Sequence, residues 1–194
     1  MLLTVIEIAL FLVLPLLLFY QRSGMPAKKY VLHIVAIYLL WYVSYALLHE
    51  LLHWFGVWVF GKTVFDYRLI PPFWRGEFGV GYIQYNYQKD RQDFVIILLP
   101  YLKDVVFAVV GLFLLKKIGT KRLFLTALLF TFFILSSLFD IGNNYFGFLI
   151  GSLNDFNAMR ESGTLALSHA VGITFFVVSL VSTILFLRKT KAIS

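Results

Sequence analysis

The chain has 194 residues, of which 60% are hydrophobic, 19% aromatic and 14% charged; a soluble domain is only about 45–50% apolar, so this is the composition of a membrane protein. The formal net charge of +7 does not indicate nucleic-acid binding, because most Lys and Arg flank apolar runs, as juxtamembrane basic residues do. The absence of cysteine excludes disulfides and a thiolate zinc site, so any metal must be held by His and carboxylates.

In chain order, the first apolar stretch covers about 2 to 20, with Glu7 as its one charge. It lacks a basic region ahead of it and a small-residue cleavage site, so it is predicted to be a retained span rather than a removed signal peptide. Further spans are predicted at about 30 to 60, 94 to 115, 123 to 150 and 166 to 187, since roughly 20 apolar residues suffice to cross a bilayer. The second and fourth exceed that length and are expected to tilt, protrude or break beside a polar cavity. Between the second and third spans, Gly61 to Asp93 is rich in Gly, Tyr and charge and contains Pro71-Pro72. Phe78 to Tyr87 has the aromatic and β-branched content of a strand, and Thr63 to Ile70 is its predicted partner.

The predicted fold is thus an all-α polytopic membrane protein of about five transmembrane helices, with a small β-hairpin or sheet between helices 2 and 3. It is expected to form a single membrane-embedded domain over 1–194. Its core is placed at 30–160, with helix 1 (2–20) and helix 5 (166–187) as accessories, and its location is multi-pass in a membrane, taken as the cell membrane. Arg22, Lys28, Lys29, Lys116, Lys117, Lys121, Arg122, Arg188, Lys189 and Lys191 fall on one side. By the positive-inside rule that side is cytoplasmic, with the N-terminus and the hairpin outside.

His49-Glu50-Leu51-Leu52-His53, toward the end of the second span, has the HExxH pattern. On a helix, residues i and i+4 share a face, so two imidazoles can reach one metal ion. The glutamate after the first ligand is the general base for a metal-activated water in zincins. With four His and four Glu in the chain, chance alone gives this pattern about two times in a thousand, which lifts it above noise. Ionisable groups in an apolar span are also functional candidates by default, the bland alternative being a solvated helix end.

A catalytic zinc needs a third protein ligand and an open position. Asp155, in Gly151-Ser152-Leu153-Asn154-Asp155-Phe156-Asn157, is the first candidate, followed by Asp140, Asp104 and His169. Asp104 has the structural alternative of pairing with Lys103, and Asp140 that of hydrogen bonding to Asn143 or Asn144. His33 and His169 are read as packing or interfacial histidines.

These residues resemble the intramembrane site-2 metalloproteases and, within that clan, the small zincin peptidases of the domain-of-unknown-function 3267 type. The HExxH ends a span, a Gly-rich loop follows, Leu98-Leu99-Pro100-Tyr101 opens the next span, and Asn154-Asp155 follows another. The likeness covers roughly residues 44 to 160. It implies that His49, His53 and Asp155 bind one Zn2+ per chain and that Glu50 is the catalytic acid/base. Larger members carry Asn-Pro and then Asp-Gly at the third ligand, whereas here Phe156 follows Asp155 and no Asn-Pro precedes it. For stabilising the oxyanion, Asn154 is preferred over Asn143 and Asn144, each of which has a capping or linking alternative. The resemblance also places the metal nearer the cytosolic face, opposite to the side given by the basic residues.

The function expected is hydrolysis of a peptide bond in or near the membrane, by a zinc-activated water with Glu50 as general base. The partners are a membrane-protein or membrane-proximal peptide substrate and the lipid bilayer, with no nucleic acid. Val80 to Tyr87 is the candidate edge for holding an extended substrate by β-addition, beside a purely structural hairpin. The competing reading is a non-catalytic membrane protein that binds metal for structure or regulation, and a transporter ranks below it because no repeat is detectable.

Overall fold

Apolar runs punctuated by Gly, Pro and charge become long helices in the computed structural model, which describes residues 5–6, 8–70, 81–118 and 123–191. Helix α1 (Leu14–Ser23), preceded by a π-helical turn at Ala9–Val13, ends at Gly24, whose φ of 60° is the left-handed conformation that glycine adopts without strain. Helix α2 (Ala27–Val59) follows, then strands β1 (Val64–Arg68) and β2 (Tyr82–Tyr85), and helix α3 (Arg91–Ile118). Helix α4 (Leu123–Leu149) is π-helical over Phe130–Leu135. The short α5 (Asp155–Ser162) and the long α6 (Leu165–Lys191) complete the order.

Among the described residues, four helices, α2, α3, α4 and α6, are long and apolar enough to cross a membrane. The all-α architecture with one small hairpin agrees with expectation. The first predicted span is a shorter apolar helix over its described residues, Met1 to Thr4 and Glu7 lying outside them. At 33 residues, α2 is about 50 Å long, against a hydrocarbon core of about 30 Å. The excess predicted for the second span is therefore taken up by one unbroken helix.

The described residues pack as two compact units. One draws on residues 1–42, 105–139 and 178–194 and is held by aromatic packing. In it Phe11 stacks on Trp41 at 3.6 Å between ring centroids, and Trp41 donates its Nε1–H to Ser136 Oγ at 3.0 Å. The other draws on 43–104 and 140–177 and contains every candidate for the chemistry. Its core is Ile97, Tyr101, Ile141, Tyr145, Phe148, Phe156 and Met159. Gly172 of α6 lies so close to Tyr145 that a Cβ there would overlap the ring, which explains a glycine in mid-helix despite its poor propensity.

The hairpin is antiparallel, with Asp66 opposite Gln84, Tyr67 opposite Ile83 and Arg68 opposite Tyr82, and an irregularity between Val64 and Asp66 that leaves Phe65 as the extra residue. Of the predicted strand Phe78 to Tyr87, β2 covers Tyr82–Tyr85, and Phe78 to Val80 lie outside the described residues together with Pro71, Pro72 and Trp74. Lys62 fastens the base of the hairpin, with Nζ 2.6 Å from Asp93 and 3.2 Å from Asp90, at the N-terminal end of α3. Tyr67 packs edge-on against Trp54 of α2 at 4.6 Å.

Candidate metal centre

Tyr45, His49 and His53 recur at four-residue spacing along α2, which puts them on one face. Both histidines are buried. The Nδ1 atom of His49 is 2.8 Å from Asp140 Oδ2, and that of His53 is 3.1 Å from the carbonyl oxygen of Ile96. A carboxylate and a carbonyl only accept, so each Nδ1 carries a proton and donates, which leaves Nε2 as the ring atom able to bind a metal.

The two Nε2 atoms converge on a single atom. Asp155 Oδ2 is 3.2 Å from His49 Nε2 and 3.3 Å from His53 Nε2. A tetrahedral zinc with bonds of 2.0–2.1 Å separates neighbouring ligand atoms by about 3.3–3.4 Å, so these spacings fit such an ion. Two imidazole nitrogens and a carboxylate oxygen facing one another need positive charge among them, which protons on Nε2 or a metal ion would supply. His49, His53 and Asp155 are also the group of His and acidic residues, among those described, whose ligand atoms lie close enough together to hold a metal ion.

Asp155 reaches this position because α5 is anchored on both sides of it. Asn154 is the N-cap, its Oδ1 accepting from the Phe156 N–H at 3.1 Å while its Nδ2 donates to the Asn144 carbonyl at 2.7 Å. Phe156 and Met159, three residues apart, are fully buried in the core. Tyr87 donates to the Ala158 carbonyl at 2.8 Å and so ties the hairpin exit to the same helix.

Asn154 therefore departs from the expected oxyanion role. Its side chain is engaged at both ends in capping α5 and tying it to α4, work for which Asn is among the preferred residues. Asp140, an alternative third ligand, lies behind His49 instead. Its Oδ1 accepts from Tyr45 at 3.0 Å and Asn144 at 3.1 Å, while its Oδ2 takes the His49 proton and lies 3.8 Å from Lys103 Nζ. Asp104 pairs with Lys103 at 2.8 Å, its structural alternative. His169 accepts or donates at Tyr145, 3.1 Å away, and packs against Phe148. His33 bonds the Lys29 carbonyl one turn back on its own helix.

Tyr101 is the residue that sequence reasoning named without a role. Fully buried, it donates to Asp155 Oδ2 at 2.8 Å and meets the His49 ring edge-on. A donor on that oxygen fixes the carboxylate's direction. The available signal was a tyrosine one turn from the charged pair Lys103-Asp104 inside a mostly apolar span.

Glu50 is buried and lines a cavity of about 490 Å³ with His53, Asp155, Gly81, Tyr82, Tyr85 and other residues of β2 and its flanks. Gly81 passes so near that a Cβ on it would lie 2.7 Å from Glu50 Cγ and 2.9 Å from the Arg68 carbonyl oxygen. Only a glycine lets the hairpin close on the glutamate in this way. No family model, curated protein or solved structure matches the chain.

Proposed function

We propose that the chain is an intramembrane zinc endopeptidase, with His49, His53 and Asp155 as the protein ligands of one zinc and Glu50 as the general base. The observation that carries this reading is the meeting of two Nε2 atoms at one carboxylate oxygen, 3.2 and 3.3 Å away, each ring being held from behind through Nδ1. Such outer partners are what fix the tautomer and aim of a metal-binding imidazole. Charge supports it as well. Glu50, Asp104, Asp140 and Asp155 bring four carboxyls to this region and Lys103 brings one ammonium, an imbalance that a divalent cation reduces.

Zinc held there supplies a Lewis acid for the carbonyl and a water acidic enough to be activated near neutral pH. Glu50 removes the proton from the attacking water and passes it to the departing amine nitrogen, so that one C–N bond breaks as one C–O bond forms. The cavity beside it, walled by Tyr82, Ile83, Tyr85, Ile97 and Ala158, is of a size to hold part of an extended peptide. The sequence likeness to site-2 metalloproteases points to the same chemistry, and the four long apolar helices favour a substrate in or near a bilayer, in the cell membrane.

The test is cleavage in liposomes. The purified chain, reconstituted with a panel of single-span membrane proteins, is expected to cut at least one of them. A zinc chelator is expected to stop the cutting, and zinc added back to restore it. Cleavage that persists in chelator, or none across a broad panel with zinc bound, contradicts the proposal.

A further inference from the structure

Pro100 lies inside α3, nine residues after its first residue Arg91. In an α-helix the carbonyl of residue i−4 receives the N–H of residue i, so the helical partner of the Ile96 carbonyl is position 100. Proline has no N–H to give it, and its ring pushes against that same carbonyl. The Ile96 oxygen is the atom that accepts from His53 Nδ1, at 3.1 Å, in a buried contact.

We infer that Pro100 is a positioning residue for the metal centre: by withholding a backbone donor it leaves the Ile96 carbonyl to His53, whose Nε2 is thereby aimed at Asp155. The inference rests on the reading of His53 as a metal ligand. His49 has a charged acceptor, Asp140, behind it, whereas the acceptor behind His53 among the described residues is this carbonyl, which in an uninterrupted helix belongs to another donor. The broken helical bond thus serves as the backbone counterpart of the carboxylate behind His49. Nearby, Ile96 and Ile97 are buried and pack α3 in place, and Gly56 of α2 admits Ile96 and Leu99 at close range. The acceptor is consequently held on a rigid pair of helices.

The experiment compares zinc affinity and thermal stability in the full-length, detergent-purified chain. Zinc dissociation constants are read by chelator competition, and melting temperatures on the metal-free protein. In Pro100→Ala the alanine N–H competes for the Ile96 oxygen. Zinc affinity is expected to fall about 10- to 100-fold, as when an outer partner is lost, while the melting temperature holds or rises because α3 regains a bond. A merely structural proline leaves zinc affinity at the wild-type value and lowers the melting temperature when it is replaced. A second variant, with lactic acid at position 100 introduced by nonsense suppression, removes the ring but still offers no N–H, and is expected to bind zinc within about threefold of wild type. Wild-type affinity in Pro100→Ala, or equal losses in the alanine and lactic acid variants, overturns the inference while leaving the zinc site standing. Absence of zinc binding by the wild type overturns both.

Discussion

Glu50→Gln is expected to keep one zinc per chain and lower kcat by about 10²–10⁴-fold, the range that a positioned general base contributes. Gln preserves the size of the side chain that Gly81 closes upon but cannot take a proton from water. Neither imidazole nor Asp155 is altered, so metal content and affinity are expected to stay close to wild type. The pairing of an intact metal site with lost turnover separates a hydrolase from a protein that binds metal for structure or regulation. In the latter a glutamate beside the first ligand has no chemical task. Single-turnover cleavage in liposomes, with zinc content measured on the same preparations, reads both quantities. Equal turnover in the variant removes Glu50 from the mechanism.

Asp155→Ala is expected to lose most of its zinc, whereas Asp140→Ala is expected to retain a site weakened about 10- to 100-fold. The difference follows from where the two carboxylates act. Asp155 contributes the oxygen at which both Nε2 atoms meet, and without it two imidazoles remain, one protein ligand short of a catalytic zinc site. Asp140 stands behind one ring, accepting from Nδ1 of His49, so its loss frees the tautomer and aim of that ring while three ligands survive. Asp104→Ala removes the nearer carboxylate partner of Lys103, whose ammonium keeps Asp140 at 3.8 Å, and is expected to keep zinc near wild type. Metal analysis after gel filtration orders the three variants, with elution position as the check on folding. Normal zinc in Asp155→Ala, or complete loss in Asp104→Ala alone, contradicts the assignment.

What could be read from the residues alone follows the range of the interaction. His49 and His53 lie on one face because helical geometry is local, so their spacing was informative without any knowledge of the fold. Asp155 meets them across a separation of 106 residues from His49. The sequence ranks it ahead of Asp140, Asp104 and His169 and the resemblance favours it, but only packing brings its Oδ2 to the two imidazoles and leaves Asp140 behind His49. The burial of Phe156 and Met159 turns Asp155 inward, a consequence of how α5 rests on a core that no local pattern describes. Asn154 shows the opposite case. Its place just before a short helix is a cap signal, and the resemblance to larger proteases drew it toward chemistry that its hydrogen bonds do not support. Tyr101 and the carbonyl of Ile96 depend on the register of α3 against α2, which is set by side-chain volumes such as the close approach at Gly56. The long helices were legible because an unbroken apolar run of more than 20 residues has few other stable forms.

Zinc K-edge X-ray absorption on the wild-type chain, purified from zinc-supplemented cells, bears most directly on two histidines and a distant aspartate sharing one ion. The predicted spectrum has one zinc per chain with two imidazole nitrogens at about 2.0–2.1 Å and carboxylate oxygen at about 2.0–2.2 Å, and the imidazole scattering halves in His53→Ala. A substoichiometric metal, or a shell of oxygens with no imidazole, contradicts it.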